Sequence, residues 1–257
     1  MPNVAINGLG RIGRAALKIL LDADGLDLVA VNDIADLDNL AYLLRYDTVY
    51  GRYHRAVDTP DGALLVGGRR IAAFAERDPA NLPWADLGVD LVLDCTGVFK
   101  SEDGLRQHIQ AGASFVILSA PTTSETVPTV AHAVTELAGR FDGNAVRATI
   151  PVGSIADIVF VADRPTTAQE VNDAFQQEAA SAQYQGILGV SEDPLVSADI
   201  VGDPRAAIVD LDLTRVVDDT LVKVMAWYHN EWGFTHQMIR EARSTLGVAE
   251  IAAEPGR

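Results

Sequence analysis

Apolar positions along the first third of the chain follow two alternating rhythms. Val4–Asn7 is a short run of strand length, and a glycine turn follows it. Arg11–Asp22 then places Ile12, Ala15, Ala16, Ile19 and Leu20 at helical spacing. Leu28–Asn32 returns to the strand pattern and Asp36–Tyr46 to the helical one. This strand–helix–strand order predicts an α/β fold with a parallel, doubly wound sheet. Gly51–Phe74 breaks into short β-prone pieces, with turns at Pro60-Asp61-Gly62 and Gly67-Gly68, and reads as a hairpin-rich excursion. Leu91–Cys95 and Phe115–Ser119 have the continuous apolar character of buried strands. Between them Ser101 is placed to cap a helix running to about Ala111.

The pattern changes after Pro121. Val127–Leu137 is predicted helical, ending near Gly139, and Val146–Ile150 and Ile155–Ala162 are predicted strands. Thr166 or Thr167 caps a helix from about Ala168 to Ala180, and Glu170 completes a capping box if Thr167 is the cap. Ala206–Asp212 and Leu221–Tyr228 read as strands around a turn at Asp218-Asp219, and a last helix runs from about Gly233 to Leu246. The residues beyond it read as a loose tail. There is no internal repeat. The expected organisation is a Rossmann-type domain over residues 1–121, joined by the C-terminal helix of 231–257, and a shortened α+β domain over residues 122–230.

Composition narrows the function classes. The 257 residues carry a formal net charge of −16 and no Lys/Arg run, which argues against nucleic acid as a partner. No stretch approaches the roughly eighteen apolar residues of a membrane span, and Met1–Ile6 lacks the basic start of a signal peptide. Cys95 is the single cysteine, so neither an intramolecular disulfide nor a cysteine metal cluster can form. A reducing, cytoplasmic setting is the expectation.

Gly8-Leu9-Gly10-Arg11-Ile12-Gly13 fits G-x-G-x-x-G between a strand and a helix. Gly8 permits the tight turn, Gly10 lets a pyrophosphate approach the backbone, and Gly13 lets helix and strand pack closely. The free N–H groups of the helix start meet the phosphate charge. Asp33 ends the second strand about twenty residues beyond the last glycine, where a carboxylate can accept from both ribose hydroxyls. It would repel a 2′-phosphate, so NAD is expected over NADP.

These residues and several others, in order, resemble the glyceraldehyde-3-phosphate dehydrogenase family. The resemblance rests on Ile6-Asn7-Gly8-Leu9-Gly10-Arg11-Ile12-Gly13-Arg14, Val31-Asn32-Asp33, Glu76-Arg77-Asp78-Pro79, Cys95-Thr96-Gly97-Val98-Phe99, Ser119-Ala120-Pro121 and Trp227-Tyr228-His229-Asn230-Glu231-Trp232-Gly233-Phe234. It covers nearly the whole chain and implies a set of cofactor residues. Asn7, Gly8, Gly10, Arg11, Ile12 and Gly13 would form the pyrophosphate turn. Asp33 would hold the adenosine ribose, and Arg77 would line the adenine side. Thr96, Gly97 and Ser119 would flank the nicotinamide ribose, and Asn230 would bond the nicotinamide carboxamide. Arg147 matches the family arginine that binds a substrate or inorganic phosphate, and its planar guanidinium suits that oxyanion.

The resemblance also implies a catalytic thiolate and a histidine base. The family carries its cysteine in a Ser-x-x-Ser-Cys-Thr-Thr-Asn run at a helix N-terminus. No such run exists here. The match passes from Ser119-Ala120-Pro121 almost directly to the stretch Ala131–Arg147, and roughly eighty residues of a full-length relative have no counterpart. Cys95 reads as structural, and His132 as a cap or surface residue. His54, His108, His229 and His236 show no partner spacing, with His108 expected on an exposed helix face. Three readings follow: an NAD-binding pseudoenzyme, an oxidoreductase with altered non-covalent chemistry, and a relative selected for nothing. The expected partners are a small phosphorylated ligand and, as the absent segment includes a tetramer-forming loop, a second copy at most.

Overall fold

The computed structural model describes residues 1–120 and 145–249. By density of internal contacts they fall into two units. The first comprises Met1–Leu17, Gly25–Arg45 and His54–Thr149; the second comprises Lys18–Asp24, Tyr46–Tyr53 and Ile150–Arg257. The C-terminal helix is thus grouped with the second unit, a different partition from the expected one.

The elements of the first unit are β1 (Asn3–Asn7), α1 (Arg11–Asp22, shared with the second unit), β2 (Asp27–Asn32) and α2 (Leu37–Arg45). A two-stranded ribbon of the second unit, β3 (Tyr46–Asp47) and β4 (Gly51–Arg52), intervenes. Then come β5 (Val57–Asp58), β6 (Leu64–Val66), β7 (Arg69–Phe74), β8 (Leu91–Asp94), α3 (Glu102–Gln110) and β9 (Phe115–Leu118). The sheet order is β5-β6-β7-β2-β1-β8-β9, with β7, β2, β1, β8 and β9 parallel. The chain builds outward from β1 to one side and then returns to the other, so the order reverses between β1 and β8. Ligands of open α/β sheets lie at such a reversal, beyond the carboxyl ends of the strands.

Burial explains the strand patterns. Val4, Ala5 and Ile6 of the central strand are wholly buried, as are Leu91, Val92 and Leu93 of β8, because a parallel strand covered on both faces shows no alternation. The helical stripe of α1 buries Ala15, Ala16, Ile19 and Leu20. Gly67 and Gly68 supply the two positive φ angles of the β6–β7 hairpin turn, 58° and 84°. Ser101 caps α3 by accepting from the Gly104 N–H. β9 departs from expectation: as the edge strand it leaves Phe115 46% exposed.

In the second unit, β10 (Ser154–Val161), α4 (Ala168–Ala179), β11 (Leu188–Ser191), β12 (Ala207–Val217), β13 (Leu221–Tyr228) and α5 (Trp232–Thr245) follow. The sheet runs β10-β13-β12-β11; β11 and β12 are parallel and the other pairs antiparallel. Thr167 is the cap of α4, and its capping box with Glu170 is complete. Val171 and Phe175 on that helix pack on Val209, Leu211, Val222 and Val224 of the sheet. Asp218 and Asp219 both take left-handed angles, 48° and 60°, and make the turn into β13.

The observed elements differ from the expected ones. Val146–Ile150 is not a strand: residues 145–150 are exposed and unpaired, and Pro151 following them removes a donor while favouring extended backbone in the residue before it. β12 extends past Asp212 to Val217, and β11 has no counterpart among the expected strands, because Leu188–Ser191 is short and contains Gly189. The predicted helix Val127–Leu137, and the tail beyond residue 249, lie outside the described residues.

Candidate cofactor site

The glycine turn joins β1 to α1. Gly8 has φ +92° and donates its N–H to the Asn32 carbonyl at 2.7 Å. A Cβ at Gly8 would stand 2.8 Å from the Thr96 nitrogen, and one at Gly13 would strike the Gly8 carbonyl oxygen. Both positions therefore exclude a side chain for packing reasons. Gly10 differs: a Cβ there would meet nothing within 4 Å. Its exposed backbone, at the start of α1, leaves room for a phosphate against the first N–H groups of the helix. Arg11 is exposed and Ile12 half-buried on that first turn.

Asp33 stands at the end of β2, half-buried. Its Oδ2 accepts from the Leu9 N–H at 2.6 Å and its Oδ1 from the Ala35 N–H at 2.9 Å. One carboxylate thus ties the glycine turn to the strand end. Each oxygen keeps a second lone pair, the capacity needed for two ribose hydroxyls. Arg77 is exposed beside Glu76, whose backbone N–H and carbonyl are both bonded by the Asn32 side chain, at 2.8 and 2.9 Å.

On the other side of β1, the end of β8 forms a second turn. Asp94 Oδ1 accepts from the Thr96 N–H at 3.1 Å and from its hydroxyl at 2.7 Å, and the Val98 N–H donates to that hydroxyl at 3.1 Å. Gly97 takes φ +68° with open space before it. Ser119 donates its N–H to the Asp94 carbonyl at 2.9 Å. The structure thus brings Gly8, Gly10, Arg11, Ile12, Gly13, Asp33, Arg77, Thr96, Gly97 and Ser119 to the carboxyl edge of one sheet. These residues fit a dinucleotide: the glycines leave a cradle, the helix start faces it, and a carboxylate is oriented beside it.

Asn7 belongs to this edge in a different way. Its side chain is buried, accepting from Asn32 at 2.7 Å and donating to Asp94 at 2.9 Å. It braces the turn from within and presents no side-chain group to the open surface. In the second unit, Asn230 is exposed at the end of β13, and its amide is held by Ser154 Oγ at 2.7 and 3.1 Å. Arg147 is exposed in the unpaired segment before Pro151.

Cys95 follows β8, and its N–H donates to the Asn7 carbonyl at 2.7 Å. Burial pushes its thiol up to about 12, against an opposing hydrogen bond from Ser119 and with a small further push from Asp94. It is a poor nucleophile. Burial disfavours the charged form of two histidines. His229 accepts the Trp232 N–H on Nδ1 at 2.9 Å, meets the Tyr50 hydroxyl through Nε2 at 3.2 Å, and is held below its usual range by burial. Burial also pushes His236 down to about 4. His54 is exposed, and His132 lies outside the described residues.

His108 corrects an expectation. It is fully buried, not on an exposed helix face. Its Nδ1 accepts the Trp84 indole N–H at 3.0 Å, and its Nε2 is 3.2 Å from Asp94 Oδ2. A usable signal was present: Asn7, Asn32 and Asp94 each end an apolar strand, in register with one another. A row of polar residues at that depth requires mutual partners. Among the described residues no group of His, Cys, Asp or Glu is arranged to hold a metal ion, and no helix is long and apolar enough to cross a membrane.

The reversal of strand order, the glycine cradle and the strand-end carboxylate define a dinucleotide-binding Rossmann domain. Family comparison agrees. Residues 2–102 match the model of the glyceraldehyde 3-phosphate dehydrogenase NAD binding domain, and residues 92–230 match that of the same family's C-terminal domain. Among curated relatives, the chain is 38% identical to the glyceraldehyde-3-phosphate dehydrogenase of Kitasatospora aureofaciens, over 93% of the chain and 97% of that protein. It is 34% identical to the enzyme of the same name from Clostridium acetobutylicum, over 93% and 97%, and 32% identical to that of Clostridium pasteurianum, over 97% and 100%. The chain belongs to the glyceraldehyde-3-phosphate dehydrogenase family, and its cofactor is NAD. The Kitasatospora alignment spans 325 positions against a chain of 257 residues. With 93% of the chain aligned, on the order of eighty of those positions have no counterpart here.

Proposed function

We propose that this chain binds NAD but does not carry out phosphorylating aldehyde oxidation. The observation that carries the reading is the thiol inventory. The reaction requires a thiolate to attack the aldehyde and hold the acyl group until phosphate releases it. The only cysteine of the 257 residues is Cys95, a strand-end residue whose thiol burial pushes up to about 12. The cradle at Gly8–Gly13 and the orientation of Asp33 support retained cofactor binding. The chain then acts in the cytoplasm as a pseudoenzyme, sensing the cofactor or a small phosphorylated ligand at Arg147, as a monomer or a dimer through the remaining sheet of the second unit.

A second reading is favoured by Asn230, the residue of the family's carboxamide contact, whose amide is held in place by Ser154. Under it the chain passes hydride between NAD and an aldehyde or sugar phosphate without a covalent intermediate. A paired assay separates the two: NAD affinity by calorimetry, and NADH absorbance with glyceraldehyde 3-phosphate in the presence and absence of phosphate. Binding without turnover supports the first reading. Turnover independent of phosphate supports the second. Phosphate-dependent NADH formation overturns both.

A further inference from the structure

Behind the cofactor edge, Trp84 donates to His108 and His108 to Asp94, and the Asp94 carboxylate also accepts from Asn7 and Thr96. The Trp84 indole nitrogen can only donate, so His108 Nδ1, 3.0 Å away, is the acceptor and carries no proton. The ring proton then resides on Nε2, 3.2 Å from Asp94 Oδ2. That oxygen also accepts from Asn7 Nδ2 at 2.9 Å, while Asp94 Oδ1 takes the Thr96 N–H and hydroxyl. Asp94 is wholly buried, so its carboxylate orientation is set by these four donors and by nothing in solvent. Thr96 lies against Gly8, close enough that a Cβ on the glycine would collide with it.

We infer that His108 is a positioning residue for the NAD site: with its proton held on Nε2 by Trp84, it anchors the Asp94 carboxylate that orients the Thr96–Gly97 turn. This rests on the NAD-binding reading above. His108 touches no cofactor atom; it acts through Asp94, on a turn that the family resemblance places beside the nicotinamide ribose. Asn7 Nδ2 also lies 3.3 Å from His108 Nε2, but in this tautomer both groups are donors and the contact is not a bond. The arrangement has one acceptor of its kind, the Asp94 carboxylate, and an amide in its place would turn a donor toward at least one of the four.

The tautomer makes the inference testable. Long-range 15N–1H spectra of the wild-type protein read the proton directly, with Nε2–H expected in the absence and presence of NAD. The Hε2 resonance should shift as NAD saturates, since Asp94 carries both His108 and Thr96. A proton on Nδ1, or a resonance that NAD leaves unmoved, overturns the inference without any variant. Calorimetry of NAD binding to Asp94→Asn, Trp84→Phe and the double variant gives a second, independent reading. Asp94→Asn should weaken NAD about tenfold or more, the scale of a lost charge-assisted bond. Trp84→Phe removes the indole donor, so His108 can move its proton to Nδ1 and accept from the new amide. The double variant should therefore bind NAD more tightly than Asp94→Asn alone. A purely structural role predicts additive losses, and additive losses or unchanged affinities overturn the inference. If wild type itself fails to bind NAD, the binding reading falls, while the ring spectrum still reports the tautomer.

Discussion

At the scale of single residues, Asp33 and Cys95 divide the account between what is kept and what is absent. Asp33 has both oxygens engaged by backbone N–H groups and both still able to accept. Asp33→Ala removes the ribose contact and loosens the glycine turn together. We expect NAD affinity to fall by at least about a hundredfold, as for two bonds to a charged acceptor; unchanged affinity in calorimetry would misplace the ribose. For Cys95 the expectation is inertness. With its thiol pushed up to about 12, iodoacetamide at pH 8 should modify the native protein on the order of a thousandfold more slowly than the denatured chain. The sign of the linked pH effect follows. Between its ordinary value of 9.0 and about 12, the unfolded chain releases the thiol proton and the folded chain keeps it. Stability must therefore fall as pH rises through that window. Cys95→Ala should flatten the fall, and rapid native alkylation would contradict the assignment.

At the scale of elements, most of the fold is legible where local patterning and tertiary need coincide. Arg11–Asp22 and Leu221–Tyr228 have the bounds their periodicity predicts, and the α4 capping box follows from Thr167 and Glu170 alone. Replacing that cap, Thr167→Ala, should cost about 1 kcal/mol, measured as a lower denaturation midpoint at unchanged slope; no change would mean that packing on the sheet, not the cap, sets the helix start. Legibility fails where a segment's state depends on distant partners. β11 is four residues with a glycine, and it exists as a strand because Ala207–Asp210 lie alongside it. Val146–Ile150 has the right composition for a strand, but no neighbour among the described residues pairs with it. The glycine turn and Asp33 could be placed from spacing because the dinucleotide cradle is local in sequence. The buried Trp84–His108–Asp94 chain is legible only in part: the polar strand ends Asn7, Asn32 and Asp94 call for buried partners, but the chain joins three separate segments and a helical histidine gives no sign of which face it occupies.

At the scale of the whole molecule, the sheet of the second unit has β10 as one of its two edge strands among the described residues. β10 bounds its sheet and leaves Val159 57% and Val161 72% exposed, a strand edge of the kind that invites pairing. Light scattering should give a monomer or a dimer, and a Val159→Lys variant should shift any dimer toward monomer; a stable tetramer would contradict the expected assembly. Loss of the oxidation chemistry with retention of the cofactor can be read in a single experiment. The purified chain is saturated with NAD, as judged by calorimetry, and then given glyceraldehyde 3-phosphate and inorganic phosphate while absorbance at the NADH band is followed. Heat on adding NAD and a flat absorbance trace are expected. A phosphate-dependent rise would show that some group in this chain still does the work of the missing thiolate.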